Sequence, residues 1–199
     1  MTKRYDREYF EQWYHDPEKR VITPAAVGRK ARLVLGVAEA LLDRPVRTVL
    51  DIGCGEGSWR EHLRRERPGI RYAGVESSEY AVERYGCARN IRQGSFGALS
   101  ALALDGPFDL IVVCDVLQYV PDDQLAPGLS EVARLLGGVV FLEAYAAEDA
   151  IEGDRSAWHV RSAAEYLVHF GRAGLRGVGM HCYVGEALAE VPAALERRD

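Results

Sequence analysis

The run Phe108-Asp-Leu-Ile-Val-Val-Cys114 carries one charge in seven residues and no apolar–polar alternation. A strand with one wet face alternates. A continuous apolar run is what a strand covered on both faces needs. The run therefore belongs at the centre of a largely parallel sheet with helices on either side. The rest of the chain repeats that theme. Arg47–Ile52, Arg71–Glu76, Ile91–Gln93 and Val139–Glu143 read as further strands. Ala25–Leu42, Ser58–Arg67, a segment capped by Ser77 or Ser78 and running through Tyr85, and Asp122–Leu136 read as the helices between them. Pro45, Pro68-Gly69 and Gly137-Gly138 punctuate these elements. Ser162–Phe170 reads as a helix and Arg176–Val184 as a strand. Leu188–Leu195 reads as a last antiparallel edge strand, with a short helix as the alternative because of Pro192. The expected fold is a doubly wound α/β domain.

With 199 residues, the chain has the length of one domain with a full core. We read residues 1–24 as an aromatic, charged helical cap or lid and 25–199 as the core. The formal charge of -5 argues against a general nucleic-acid binder, which usually carries a basic excess. Cys54, Cys87, Cys114 and Cys182 are far apart, without a Cys-x-x-Cys pair or His at metal spacing. That pattern fits reduced thiols rather than a disulfide framework or zinc site, so no metal is expected. The N-terminus lacks the apolar core of a signal peptide, and no apolar run approaches a membrane span. A soluble, cytoplasmic protein is the expectation.

The chemistry concentrates in Val49-Leu-Asp-Ile-Gly-Cys-Gly-Glu-Gly57. In open α/β sheets ligands bind beyond the carboxyl ends of the strands. Glycines there let the backbone approach a ligand and adopt positive φ. A dinucleotide loop is one reading. Three features weigh against it. The spacing is G-x-G-x-G, with Ser58 at the third glycine of the dinucleotide fingerprint. Asp51 would repel a pyrophosphate and instead suits an ammonium or sulfonium cation. The length leaves little room for a dehydrogenase's substrate domain.

With its neighbouring segments, this stretch resembles the class I S-adenosylmethionine-dependent methyltransferases, which are Rossmann-like. "VLDIGCGEG" looks like their first motif, "YAGVESS" the second, "NIRQGSF" the third, "FDLIVVCDVLQYVPD" the fourth, and "EVARLLGGVVFLEAY" the helix and fifth strand. The resemblance spans Arg47 to Val184 and implies a single seven-stranded, mostly parallel sheet with a reversed last strand. It implies S-adenosyl-L-methionine as cofactor, with S-adenosyl-L-homocysteine as its demethylated product. It also implies roles. Gly53, Gly55 and Gly57, with Cys54 between them, pass under the methionine and ribose. Asp51 positions the methionine end. Glu76 accepts from both ribose hydroxyls, and Ser77 lies beside the adenine. Cys114 and Asp115 lie near the amino-acid portion. Where many members have Gly-Asp this chain has Gly94-Ser95, a shorter and neutral adenine partner. Phe96 is placed to flank the ring.

Methyl transfer is an in-line displacement at an activated carbon, so positioning matters most and a general base is needed only for some nucleophiles. The family's DNA-adenine stretch and its Pro-Cys pair are both missing. A small-molecule O, N or C acceptor is the expectation, without nucleic acid or membrane. Acceptor-facing candidates are Tyr14, Gln118, Tyr119, Tyr145 and Trp158. His159 and Glu143 are the candidate bases; a surface histidine and a solvated acidic loop are the plainer alternatives. The acids from Glu143 to Asp154 would favour a cationic acceptor. Rival readings are a non-catalytic S-adenosylmethionine-binding protein, an RNA or protein methyltransferase, and a nicotinamide-dependent reductase.

Overall fold

The structure is a computed structural model that describes residues 5–20, 23–150, 155–193 and 195. Thr23 caps the helix α2 (Pro24–Leu42) by accepting from the Ala26 amide at 3.2 Å, and Pro24 sits where a missing N–H costs nothing. Asp43, in the left-handed region at φ 51°, ends it. The chain continues through β1 (Thr48–Ile52), α3 (Ser58–Glu66), β2 (Arg71–Glu76), α4 (Glu79–Arg89) and β3 (Ile91–Gln93). A 3-10 segment, Phe96–Leu102, precedes β4 (Phe108–Cys114), α5 (Asp122–Leu135) and β5 (Leu136–Glu143). Then come α6 (Ala163–Arg172), β6 (Arg176–Gly179) and β7 (Cys182–Val184). Ahead of all this lies the four-residue α1 (Arg7–Phe10), which widens into a π-type turn over Glu11–His15.

The seven strands form one sheet in the order β3-β2-β1-β4-β5-β7-β6. All pairings are parallel except β5 with β7 and β7 with β6. The order reverses between β1 and β4, which opens a cleft at their carboxyl ends. Alternate residues of the central strands feed two cores. Val49, Leu110, Val112 and Phe141 pack under α2 and α3, and Leu50, Ile52, Ile111 and Leu142 under α5 and α6. Each such side chain contributes about 1.5–3 kcal/mol by leaving water.

The one acid in the β4 run, Asp109, is satisfied rather than exposed. Arg44 grips it with two nitrogens at 2.6 and 3.0 Å, and the Arg47 amide donates at 2.7 Å. These bonds hold its carboxyl below the usual range against the opposing effect of burial. They also tie the end of α2 to the sheet.

Several boundaries differ from the sequence reading. Gly137-Gly138 does not stop a helix but lies inside β5. A Cβ at residue 138 would sit 2.1 Å from the Asp109 carbonyl, so only glycine lets the two strands meet there. Arg176–Val184 is not one strand. Met180 and His181, at φ 50° and 61°, turn it into the β6–β7 hairpin. The reversed strand is thus β7, and a 3-10 turn at Glu186–Leu188 followed by bends stands where a strand over Leu188–Leu195 was expected. The helix expected through Tyr85 runs on to Arg89, and the expected N-terminal helix is a short helix plus a π-type turn. No helix among the described residues is long and apolar enough to cross a membrane.

Candidate functional site

Gly53, Gly55 and Gly57 all have positive φ, at 69°, 54° and 77°. This lets β1 turn straight into α3 with its backbone bare toward the cleft. The loop is held from below by the neighbouring strand: the Gly53 amide donates to the Val75 carbonyl at 2.8 Å. It is held from the side by Glu76, whose Oε2 accepts the Gly55 amide at 2.7 Å and whose Oε1 accepts the Ser78 amide at 2.9 Å. Glu76 is 7% exposed, and what remains open faces a cavity.

Asp51 is 2% exposed and accepts from the Tyr72 hydroxyl at 2.7 Å. Burial raises its pKa to about 7 and the Glu76 charge adds to this, while the Tyr72 bond opposes it. A cation in the cleft would draw this group back to its ionised form.

Two cavities flank the loop. One, of about 160 Å³, is lined by Glu76, Ser77, Gly94, Ser95, Phe96 and Asp115, with Tyr119 at its far side. The other, of about 330 Å³, is lined by Asp51, Cys54, Cys114 and Lys30. Gly53 and Tyr14 line both. Phe96 keeps its place because Gly128 of α5 has no side chain: a Cβ there would lie 2.2 Å from the ring. Asp115, at φ 61°, accepts from Gln118 Nε2.

The other expected site residues form a second group beside these cavities. Gln118 is fully buried behind Asp115, and its Oε1 has no partner among the described residues. Tyr145 stacks on Trp158 with centroids 5.7 Å apart, and Tyr119 meets Trp158 edge-on at 6.0 Å. Glu143 is paired with Lys30 of α2, and Cys114 Sγ donates to the same carboxylate at 3.0 Å. His159 is tied by its backbone amide to the Gln118 carbonyl at 2.8 Å and has Asp122 as a charged neighbour. The acids Glu152 and Asp154 of the expected acidic lid lie outside the described residues.

Sequence reasoning did not find Lys30, Tyr72 or Arg161. Lys30 sits in an ordinary amphipathic helix, and only the fold brings it to the end of β5. Arg161 is 4% exposed and donates to the carbonyls of Leu117 and Val120 at 3.1 and 2.7 Å and to Asp122 at 2.5 Å. It clamps the loop after β4 against the segment carrying Trp158 and His159.

Comparison with known proteins agrees with this fold. The sequence profile of the methyltransferase domain family matches residues 27–190. No curated protein matches the chain. Among solved structures, DesVI from Streptomyces venezuelae superposes with a TM-score of 0.64 at 18% identity, over 80% of this chain and 92% of that one. CalS10 from Micromonospora echinaspora, an amino pentose methyltransferase with S-adenosylmethionine bound, gives 0.63 at 15% over 76% and 84%. The magnesium protoporphyrin IX methyltransferase of Synechocystis gives 0.61 at 18% over 86% of both chains. At these identities the likeness is one of fold. With the profile match over most of the chain, it leads to one conclusion: this protein belongs to the class I S-adenosylmethionine-dependent methyltransferases.

Proposed function

We propose that the protein methylates an O, N or C nucleophile of a small molecule. The observation that carries this reading is the roof over the glycine loop. Tyr14 of the N-terminal segment lies against Gly55, and the space left beneath is two cavities of about 160 and 330 Å³. Ligand sites are commonly about 300–1,000 Å³, so clefts of this size suit small molecules rather than a polymer. The amino pentose and porphyrin methyltransferases of the same fold support it by analogy alone.

The residues fit the cofactor. The loop bares backbone at Gly53 and Gly55, and Asp51 offers a carboxylate matched to a cation. On this reading Glu76 holds the ribose hydroxyls, with Gly94, Ser95 and Phe96 around the adenine. Asp51, Cys54, Cys114 and Asp115 surround the amino-acid end. S-adenosylmethionine supplies the activated methyl carbon. The chain's task is to hold the nucleophile in line with it and exclude water.

Tyr14, Tyr119, Tyr145 and Trp158, with Gln118 behind Asp115, form the acceptor side. His159 and Glu143 are the candidate bases, and Lys30 changes what Glu143 offers. Pairing offsets the charge that would attract a cationic acceptor, and Lys30 and the Cys114 thiol together occupy the Oε2 of Glu143. Catalysis by positioning therefore fits this arrangement better than catalysis by Glu143.

Calorimetry with S-adenosylhomocysteine, followed by mass spectrometry of a panel of amino sugars, phenols and carboxylic acids incubated with the protein and S-adenosylmethionine, tests the reading. Cofactor binding with methylated product supports it. Binding without turnover of any acceptor favours a non-catalytic binding protein.

A further inference from the structure

The two cavities that flank the glycine loop are parts of one cleft, and a single side chain divides them. Tyr14 lines both. A Cβ added at Gly55 would lie 2.4 Å from its hydroxyl oxygen, so the phenol rests directly on the loop backbone. The ring is partly open to solvent while the hydroxyl end is enclosed. Burial, then the neighbouring Tyr9, Glu76 and Asp115, push this phenol well above its ordinary pKa. A neutral hydroxyl thus stands among the acids at the middle of the cleft. On the cofactor placement above, the nucleoside lies in the cavity lined by Glu76 and Phe96 and the amino acid in the one lined by Asp51 and Cys114. A ligand that spans both must cross the loop where Tyr14 now lies.

The segment that carries Tyr14 is clasped near both ends. Near one end, Ser78 Oγ donates to the Tyr5 carbonyl at 2.5 Å. At the other, His15 Nε2 lies 2.8 Å from Glu56 Oε1, the same oxygen that accepts from the Tyr85 hydroxyl at 3.0 Å. Glu56 belongs to the glycine loop itself. Between these clasps the backbone is one turn of α-helix and one π-type turn, and Phe10 is the one buried residue of the segment from Tyr5 to Asp16. Its ring rests on Tyr14 and Tyr80, with centroids at 4.8 and 5.6 Å. A segment with one buried anchor and a few hydrogen bonds opens at far lower free energy than the sheet beneath it.

From this we propose that residues 5–16 form a gate on the cofactor cleft, with Tyr14 as the closing side chain and the His15–Glu56 contact as its latch. The proposal rests on the cofactor placement given above. In the closed arrangement the cleft is split and does not accept a spanning ligand. Opening lifts the Tyr14 ring off Gly55 and joins the two cavities. The apparent affinity for cofactor is then the intrinsic affinity reduced by the fraction of open molecules. Tyr14 acts here through access rather than chemistry.

Stopped-flow binding of S-adenosylhomocysteine to the full chain, read by tryptophan fluorescence, tests the gate. The wild-type observed rate should level off at high ligand, where opening becomes limiting. Tyr14→Ala should associate about tenfold faster, the effect of raising the open fraction tenfold. Tyr14→Phe keeps the ring in the passage, so its observed rate should still level off at high ligand. His15→Ala should fall between wild type and Tyr14→Ala. Its side chain is half exposed, so the fold is not at stake, and hydrogen exchange of the amides from Glu8 to His15 should speed up in it. An unchanged association rate in Tyr14→Ala, or a change confined to dissociation, overturns the gate and leaves Tyr14 a fixed wall. Unchanged exchange in His15→Ala overturns the latch. If folded wild type and Tyr14→Ala both fail to bind, the cofactor placement falls and the gate with it. Binding by Tyr14→Ala alone is the gate in its strongest form.

Discussion

Glu76 Oε2 accepts the Gly55 amide hydrogen at 2.7 Å, so the acid that ends β2 also sets the shape of the loop that ends β1. A mutation at Glu76 therefore has two separable effects. Glu76→Ala leaves two buried amides, those of Gly55 and Ser78, without acceptors, at about 1–3 kcal/mol each. Glu76→Gln keeps an acceptor for one of them. We expect Glu76→Ala to lower the melting temperature and to abolish S-adenosylhomocysteine binding at micromolar ligand. Glu76→Gln should melt between Glu76→Ala and wild type and bind about tenfold or more weakly than wild type, because a neutral amide pairs poorly with two hydroxyl donors. Calorimetry beside a thermal melt separates the two. Equal binding in Glu76→Gln and wild type would remove Glu76 from the ribose site.

Asp51 predicts a pH dependence of stability whose sign is the reverse of the usual carboxylate. Its pKa is raised to about 7 in the folded chain, against about 3.9 in an unfolded one. The native state thus binds more protons than the unfolded state between those values. Stability from this group is full below about pH 4 and is lost as pH rises toward 7. Asp51→Asn removes the titration and keeps a carbonyl to accept from Tyr72. In urea melts it should flatten the decline from pH 5 to 8 and be the more stable protein at pH 8. It should also bind the cofactor more weakly, because the cleft loses its carboxylate. A variant with the wild-type pH profile would show that Asp51 does not titrate in this range.

Gly55 has two independent reasons to be glycine. Its φ is 54°, and a Cβ would meet the Tyr14 hydroxyl at 2.4 Å. Gly55→Ala should cost about 1 kcal/mol for the backbone conformation. The collision adds to that cost. Combining it with Tyr14→Ala relieves the collision alone, so the double variant should recover part of the lost stability. Full additivity in the double-mutant cycle would mean that the two residues do not touch.

Arg161 holds the loop after β4 to the segment that carries Trp158. It satisfies two carbonyls, those of Leu117 and Val120, and pairs with Asp122 while only 4% exposed. Its loss in Arg161→Ala leaves those two carbonyls without their donor, at about 1–3 kcal/mol each. Asp122 is itself open to solvent, so losing its pair adds little. Arg161→Lys should not restore stability, because one ammonium cannot reach all three acceptors as the planar fork does. Chemical denaturation checks both variants, and a loss below about 1 kcal/mol would place the clamp among ordinary surface contacts.

The parts of the fold legible in advance were those specified by neighbours in sequence. β4 and β3 fall on the very residues expected, because a continuous apolar run and a short run closed by a glycine are local signals. The three loop glycines were legible for the same reason. The helix-to-strand junction at Leu136 was not. Paired glycines usually stop a helix, and here they allow β5 to approach the Asp109 backbone. The turn at Met180-His181 was also hidden, since neither residue type favours positive φ.

The sequence by itself determined the family, the sheet and the glycine loop with its two acids. Those features depend on hydrophobic period, glycine placement and the order of five short segments, all of which survive without coordinates. Only the tertiary structure decided what the chain's acids pair with. Lys30 meets Glu143 across 113 positions and Arg44 meets Asp109 across 65. His15 reaches Glu56 across 41, and Tyr14 comes down on Gly55 with it. A charge declares its sign in the sequence but not its partner. Partners are chosen by which elements the sheet's twist and connections bring overhead, and for this chain that choice laid the N-terminal segment over the glycine loop.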